Sequence, residues 1–231
     1  MQLFFCHTHD GSNASLNDEE SRHLKVLRKQ VGDAISCIDG KGNLLKCTIL
    51  KIGKDHTDLQ VVDCQLMPLE RAYSLHLLIA PTKNNERIEW MLEKAVECGI
   101  DAITFIETDH SEKHRINMTR LERIAISALK QSGRYYLPDI QSLQKLSDVQ
   151  LESGFFFAHC ADGNKLTLKD YFANETLKGK FQVLVGPEGD FSTAEIQGFY
   201  DKGGRGLSLG TGRLRTETAG LYIAMTFSAL S

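Results

Sequence analysis

The chain has 231 residues, 42% of them apolar and 25% charged, and a formal net charge of −3. That is material for one large domain or two modest ones, since domains cluster near ~100–150 residues. It excludes a wholesale basic nucleic-acid binder while leaving room for a local basic patch. No run nears the ~18 apolar residues of a membrane span, and the start, Met1-Gln2-Leu3-Phe4-Phe5-Cys6-His7, lacks the basic region and apolar core of a signal peptide. Six cysteines, at 6, 37, 47, 64, 98 and 160, form no CxxC pair. Most are expected to be small buried hydrophobes in a reducing compartment, so the protein is predicted to be cytoplasmic and metal-free.

Residues 1–66 are predicted to form a mostly β unit with one helix. Residues 3–6 make a strand. Asn17 followed by Glu20 has the spacing of a capping box, and Leu24, Leu27 and Val31 supply the helix's apolar stripe. Residues 34–38, 44–52 and 59–66 continue in β style around the turn Asp39-Gly40-Lys41-Gly42. The segment Ser21-Arg22-His23-Leu24-Lys25-Val26-Leu27-Arg28-Lys29 carries four Lys or Arg and no acid. It is either a solvated helix face or a phosphate-contacting one.

Residues 67–72 are predicted to be a linker, after which β and α alternate. Strands are expected at 75–80, 102–106, 155–160, 181–185 and 205–209. Helices are expected at 85–98 (stopped by Gly99), 119–131, from the capping box Ser192-Thr193-Ala194-Glu195 to Tyr200, and 216–230. Such alternation is the pattern of a parallel sheet, whose ligands bind beyond the carboxyl ends of the strands.

Two Gly-rich loops stand there, Leu184-Val185-Gly186-Pro187-Glu188-Gly189-Asp190 and Leu209-Gly210-Thr211-Gly212-Arg213-Leu214-Arg215-Thr216-Glu217. A dinucleotide fingerprint is excluded because Arg215 stands where the third glycine belongs. No GxxxxGK[ST] and no GxSxG occurs. His110 and His114, four apart in a polar loop without HExxH, are expected to be exposed loop residues, and Glu195 is expected to be a cap. Glu188 and Glu217 lie at the expected pocket, where each either accepts backbone N–H bonds or does chemistry. Arg213 and Arg215 bring positive charge to a place where a phosphate or a developing negative charge could sit.

Leu184-Val-Gly-Pro-Glu-Gly, followed by Leu-Ser-Leu-Gly and Leu-Arg-Thr-Glu-Thr-Ala, resembles the C-terminal signature of the RsmE family, SPOUT-superfamily methyltransferases of uridine N3 in 16S ribosomal RNA. Arg22-His23-Leu24 through Arg28, Val31-Gly32-Asp33 and Asp39-Gly40 resemble its N-terminal PUA-like barrel. Lys94-Ala-Val-Glu97-Cys-Gly99 and Lys130-Gln131-Ser132-Gly133-Arg134 resemble two further family stretches, so the likeness spans nearly the whole chain. It departs at Asp190, where the family has a second glycine, and at Gly212, where an Arg is displaced by one place to Arg213.

The resemblance implies a PUA-like RNA-binding β-barrel at 1–70, then an α/β SPOUT domain at 71–231 with a mostly parallel, trefoil-knotted sheet. It implies a homodimer acting on the small ribosomal subunit, with S-adenosylmethionine as cofactor, no metal and no membrane. Carried over, Leu184, Val185, Gly186, Glu188, Gly189, Leu209, Gly210, Leu214 and Thr216 hold the cofactor. Arg215, Arg213 and Glu217 are the catalytic candidates, and Arg22, Lys25, Arg28 and Arg134 contact RNA. Ribose 2′-O methylation and a non-catalytic RNA-binding factor are the alternatives.

Overall fold

The computed structural model describes residues 2–69, 71–112, 115–173 and 177–230. They fall into two compact units, Met1–Glu70 with Ile126–Leu137, and Arg71–Ala125 with Pro138–Ser231.

The first unit contains β1 (Leu3–Phe5), β2 (Thr8–His9), β3 (Asn13–Leu16), α1 (Asp18–Val26), β4 (Ala34–Ile38), β5 (Asn43–Ile52) and β6 (Thr57–Leu66). The strands form one sheet in the order β1-β4-β5-β6-β3-β2, with β1 parallel to β4 and the other neighbours antiparallel. Period-2 alternation sends Ile35 and Cys37 of β4 and Leu45, Cys47 and Ile49 of β5 to one side, where Phe4, Leu16, Leu24 and Leu59 complete a core. Strands β2 and β3 escape sequence reading because they are short and polar.

Asn17 caps α1, its side chain accepting the Glu20 N–H at 3.0 Å. The reciprocal half of the expected capping box is absent: Glu20 turns inward, 3% exposed, and pairs with Lys130. The expected stripe is also corrected. The helix stops at Val26, Arg28 adopts φ 56°, and Leu27 and Val31 are exposed. The stop is made by Lys29 N–H donating to the Leu24 carbonyl and Arg28 N–H to that of Lys25.

The second unit contains β7 (Tyr73–Ile79), α2 (Asn85–Cys98), β8 (Ala102–Glu107), α3 (Met118–Ser132), β9 (Asp139–Lys145), β10 (Phe156–Ala158), α4 (Leu168–Tyr171), β11 (Gly179–Val185), α5 (Thr193–Asp201), β12 (Arg205–Leu207) and α6 (Thr216–Ala229); by contact, α3 from Ile126 onward groups with the first unit. All six strands are parallel, in the order β12-β10-β11-β7-β8-β9. From β7 the chain steps outward through β8 to β9, then returns to build β10, β11 and β12 on the other side. The order therefore reverses at β7 and β11, and it is beyond the carboxyl ends of strands at such a reversal that open parallel sheets bind ligands.

Leu78, Ile106, Phe157, Leu184 and Phe199 form the core of this unit. Helix α6 lies close against β7 because residue 220 is glycine; a Cβ there would stand 2.8 Å from Ile79 Cδ1. The edge strand β9 mixes exposed and half-buried residues and carries no period-2 alternation, so the sequence hides it. Strands β10 and β12 end two residues before their predicted limits, at Ala158 and Leu207, which releases His159, Cys160, Ser208 and Leu209 into loops. Among the described residues no helix is long and apolar enough to cross a membrane.

Candidate active site

Because every strand of the second sheet is parallel, the segments after β7, β8, β10, β11 and β12 all emerge at one edge. Hydrogen bonds knit several of them together around residues 186–191. Lys83, after β7, gives its N–H to Glu188 Oε1 at 3.3 Å. His110, after β8, sets Nδ1 3.2 Å from the Gly189 carbonyl and 3.0 Å from that of Asp190. Cys160, after β10, donates its N–H to Asp190 Oδ2 at 2.7 Å. From the loop after β12, Thr216 Oγ1 donates to the Gly186 carbonyl at 3.0 Å. The two Gly-rich loops are therefore joined directly.

Asp190 explains its own presence. Its φ of +62° suits glycine, but Asp tolerates that region when its side chain bonds locally. Here Oδ1 accepts the Phe191 N–H at 2.8 Å and Oδ2 holds Cys160. Gly186, in contrast, has little room for a side chain: a Cβ would lie 3.1 Å from the Phe191 nitrogen. Gly210 has φ +117° and, like Gly212, faces open space.

The predicted cofactor residues divide by what they can offer. Leu184 is buried in the core and Val185 is nearly so, so their backbone is what faces the edge. Glu188, Gly189, Gly210 and Leu214 are exposed and Leu209 is half-buried. This is a cradle of backbone amides, carbonyls and apolar side chains, which fits a neutral adenine and a sulfonium better than a phosphate. The residues that the resemblance assigns to the cofactor, Leu184, Val185, Gly186, Glu188, Gly189, Leu209, Gly210, Leu214 and Thr216, thus lie on the two segments that Thr216 and Gly186 join.

Helix α6 begins at this edge. Arg215 is its N-cap and makes no side-chain capping bond; Arg213 and Arg215 are both exposed and form no ion pair among the described residues. Glu217 is 6% exposed, with Oε1 3.7 Å from Arg87 Nε and Oε2 buried without a hydrogen-bond partner. Arg87 lies in the first turn of α2. Sequence reasoning missed it because 130 positions separate the two residues and Arg87 occupies an unremarkable polar place in an amphipathic helix. His159 is a second missed group. It is 8% exposed at the end of β10, with Nε2 3.2 Å from the Tyr200 hydroxyl. Burial, with the Lys165 ammonium adding to it, holds its imidazole below the usual pKa.

The four predicted RNA contacts all belong to the first unit. Arg22 pairs with Asp18 at 2.7 Å, and Lys25 Nζ donates to the Gly53 carbonyl at 3.0 Å. Arg28 is exposed and unpaired among the described residues, and Arg134 is half-buried just past α3. Glu195 caps α5 as expected, and its Oε1 also accepts the Asp109 N–H at 3.0 Å. His114 lies outside the described residues. Among the described residues no cluster of His, Cys, Asp and Glu has the makings of a metal site.

The family described as RNA methyltransferase domain matches residues 69–228, and that described as RNA methyltransferase PUA domain matches 16–62. The ribosomal RNA small subunit methyltransferase E of Buchnera aphidicola is 31% identical over 220 residues, covering 90% of this chain and 84% of that one. A crystal structure of a probable rRNA-methyltransferase from Porphyromonas gingivalis superposes with TM-score 0.90 at 35% identity, covering 100% of this chain and 98% of the other. A ribosomal RNA small subunit methyltransferase E from Neisseria gonorrhoeae, bound to S-adenosyl methionine, gives TM-score 0.82 at 25% identity, covering 100% and 98%.

Proposed function

Because the chain belongs to the ribosomal RNA small subunit methyltransferase E family, we propose that it methylates N3 of one uridine in the 16S RNA of the small ribosomal subunit. It is an S-adenosylmethionine-dependent rRNA methyltransferase with a PUA-like unit and a SPOUT unit. The observation that carries the reading is the union of the two Gly-rich loops through Thr216 and Gly186, directly beside the unpaired Arg215.

The cofactor supplies an electrophilic methyl on a sulfonium. The chain's part is to hold that group in the 184–189 and 209–216 loops and to bring the base to it, so catalysis is mostly positioning. A uracil imide must lose its N3 proton to become nucleophilic. Arg215, with Arg213 beside it, lies where a cation lowers the cost of the resulting negative charge, and Glu217 holds an arginine in place. Arg22, Lys25, Arg28 and Arg134 give the first unit its RNA contacts, with Arg28 the freest of the three on the basic segment.

The protein acts as a cytoplasmic homodimer in this proposal. Helix α6 is apolar nearly all round and leaves Tyr222 45% and Met225 54% exposed, with Trp90 of neighbouring α2 at 45%. A face of that kind is suited to a second copy.

The test uses small subunits lacking the modification, S-adenosylmethionine labelled on its methyl, and mass spectrometry of the digested RNA. Labelled 3-methyluridine is the expected product. A ribose-methylated or other nucleoside would overturn the target, and absence of both label and cofactor binding would overturn the enzyme.

A further inference from the structure

We propose that Arg87 is a catalytic residue of this reaction, holding a carbonyl oxygen of the target uracil while Glu217 positions it from behind. The inference rests on the uridine-N3 reading above.

A buried carboxylate is costly unless each of its oxygens is engaged. Glu217 breaks that rule: it is 6% exposed, Oε1 has only the Arg87 guanidinium near it, at 3.7 Å, and Oε2 has no partner. Arg87 is equally incomplete. Its side chain is 37% exposed, Nε faces Glu217, and no other partner is found among the described residues. Of the five N–H groups of a guanidinium, the outer fork is thus left unused. A 3.7 Å contact is an ion pair too long for a hydrogen bond, and catalytic contacts of this kind tighten once a ligand is bound.

The location fits. Arg87 follows the β7 segment that bonds Glu188 through Lys83, and Glu217 follows Thr216, which bonds Gly186. The pair therefore stands at the edge where both Gly-rich loops meet.

The chemistry of the imide decides the roles. The lone pair uncovered when N3 loses its proton lies in the ring plane, along the line the N–H bond occupied. The methyl must enter along that same line, so a base resting on N3 would block transfer. The proton therefore leaves to water beforehand. The N3 lone pair then forms the new N–C bond, the C–S bond breaks, and its electron pair stays on sulfur. Meanwhile the negative charge is spread over the two carbonyl oxygens flanking N3. Two cations serve that anion better than one, and Arg87 supplies the second beside Arg215. Glu217 never touches the base; its carboxylate fixes the guanidinium plane.

The experiment compares Arg87→Gln, Arg87→Lys and Glu217→Gln with the parent enzyme on unmodified small subunits. It reads kcat, KM for the subunit, cofactor affinity by calorimetry and the pH–rate profile. Arg87→Gln is expected to lower kcat by about 10²–10³-fold, the usual loss on removing one preorganised donor. KM and cofactor affinity should stay within about threefold, and the rate should keep climbing at pH values where the parent has levelled off. Arg87→Lys should recover part of kcat, and Glu217→Gln should shift the profile the same way by less. An unchanged kcat, or a rise in KM alone, overturns the proposal while the parent still makes 3-methyluridine. A parent that labels a different nucleoside overturns the uridine reading instead. If Arg87→Gln fails to fold, Glu217→Gln and Arg87→Lys decide on the same pH readout.

Discussion

The Thr216 hydroxyl donates to the Gly186 carbonyl at 3.0 Å, a buried hydrogen bond that links the segment after β12 to the one after β11. This hydrogen bond ties together the two loops proposed to hold the cofactor. Thr216→Val keeps the shape and removes the donor, leaving the Gly186 oxygen buried and unpaired at a cost of about 1–3 kcal/mol. The variant is expected to melt at lower temperature and to bind S-adenosylmethionine more weakly, whereas Thr216→Ser should stay near the parent. Equal melting and equal calorimetric affinity in Thr216→Val would show that the loops hold their spacing without it.

Asp190 joins a left-handed backbone to two hydrogen bonds, so its substitutions should rank in a defined order. Asp190→Asn tolerates φ +62° and keeps an acceptor for one of the Cys160 and Phe191 N–H groups. Asp190→Gly suits the backbone but loses both bonds. Asp190→Ala loses both and adds strain of about 1–2 kcal/mol. Thermal unfolding should therefore place Ala below Gly and Gly below Asn. Ala at or above Gly would mean that the backbone angle carries no strain.

These two residues also show what the sequence disclosed and what it withheld. Local rules placed α2 at Asn85–Cys98 with Gly99 in the left-handed region, and the Ser192 capping box of α5, since each depends on residues within a few positions. The resemblance pointed to both Gly-rich loops, yet nothing in it foretold that Asp190 would reach Cys160 across 30 positions. Still longer separations in sequence hid Arg87 opposite Glu217, and turned Glu20 from an expected cap into the partner of Lys130. Chain neighbours write local structure; pairs far apart in sequence are set by the sheet order, which no period in the sequence encodes.

Arg215 is expected to be separable from the fold because its side chain contributes no cap to α6. Arg215→Ala should melt like the parent and bind S-adenosylmethionine normally, while methyl transfer to small subunits falls by two or more orders of magnitude. Unchanged turnover would remove Arg215 from the chemistry.

Acid should weaken the second unit through two histidines. Burial lowers the pKa of His76, whose Nε2 lies 2.7 Å from Thr104 Oγ1, and burial followed by the Lys165 charge lowers that of His159. A histidine depressed in the folded state takes up its proton more readily once unfolded. Its contribution to stability is therefore whole above the ordinary value of 6.5 and is lost as pH falls through the folded one. The unfolding temperature is expected to drop as pH falls below the ordinary histidine value, less steeply in His76→Gln. Parallel curves for parent and variant would exclude His76 as a source of the drop.

Arg28 permits charge and backbone to be tested apart. Its φ of 56° lies where a non-glycine side chain costs about 1–2 kcal/mol, so Arg28→Gly relieves the backbone while deleting an exposed cation. The variant should melt no lower than the parent. If Arg28 meets an RNA phosphate, affinity for the small subunit should fall, and the slope of log affinity against log salt should shrink by about one unit. Arg22→Ala is the matched control: Arg22 is already held by Asp18 at 2.7 Å, so its loss should change the slope less. A stable Arg28→Gly protein with an unaltered salt slope would take the end of α1 out of the RNA interface and leave its cations as a solvated helix terminus.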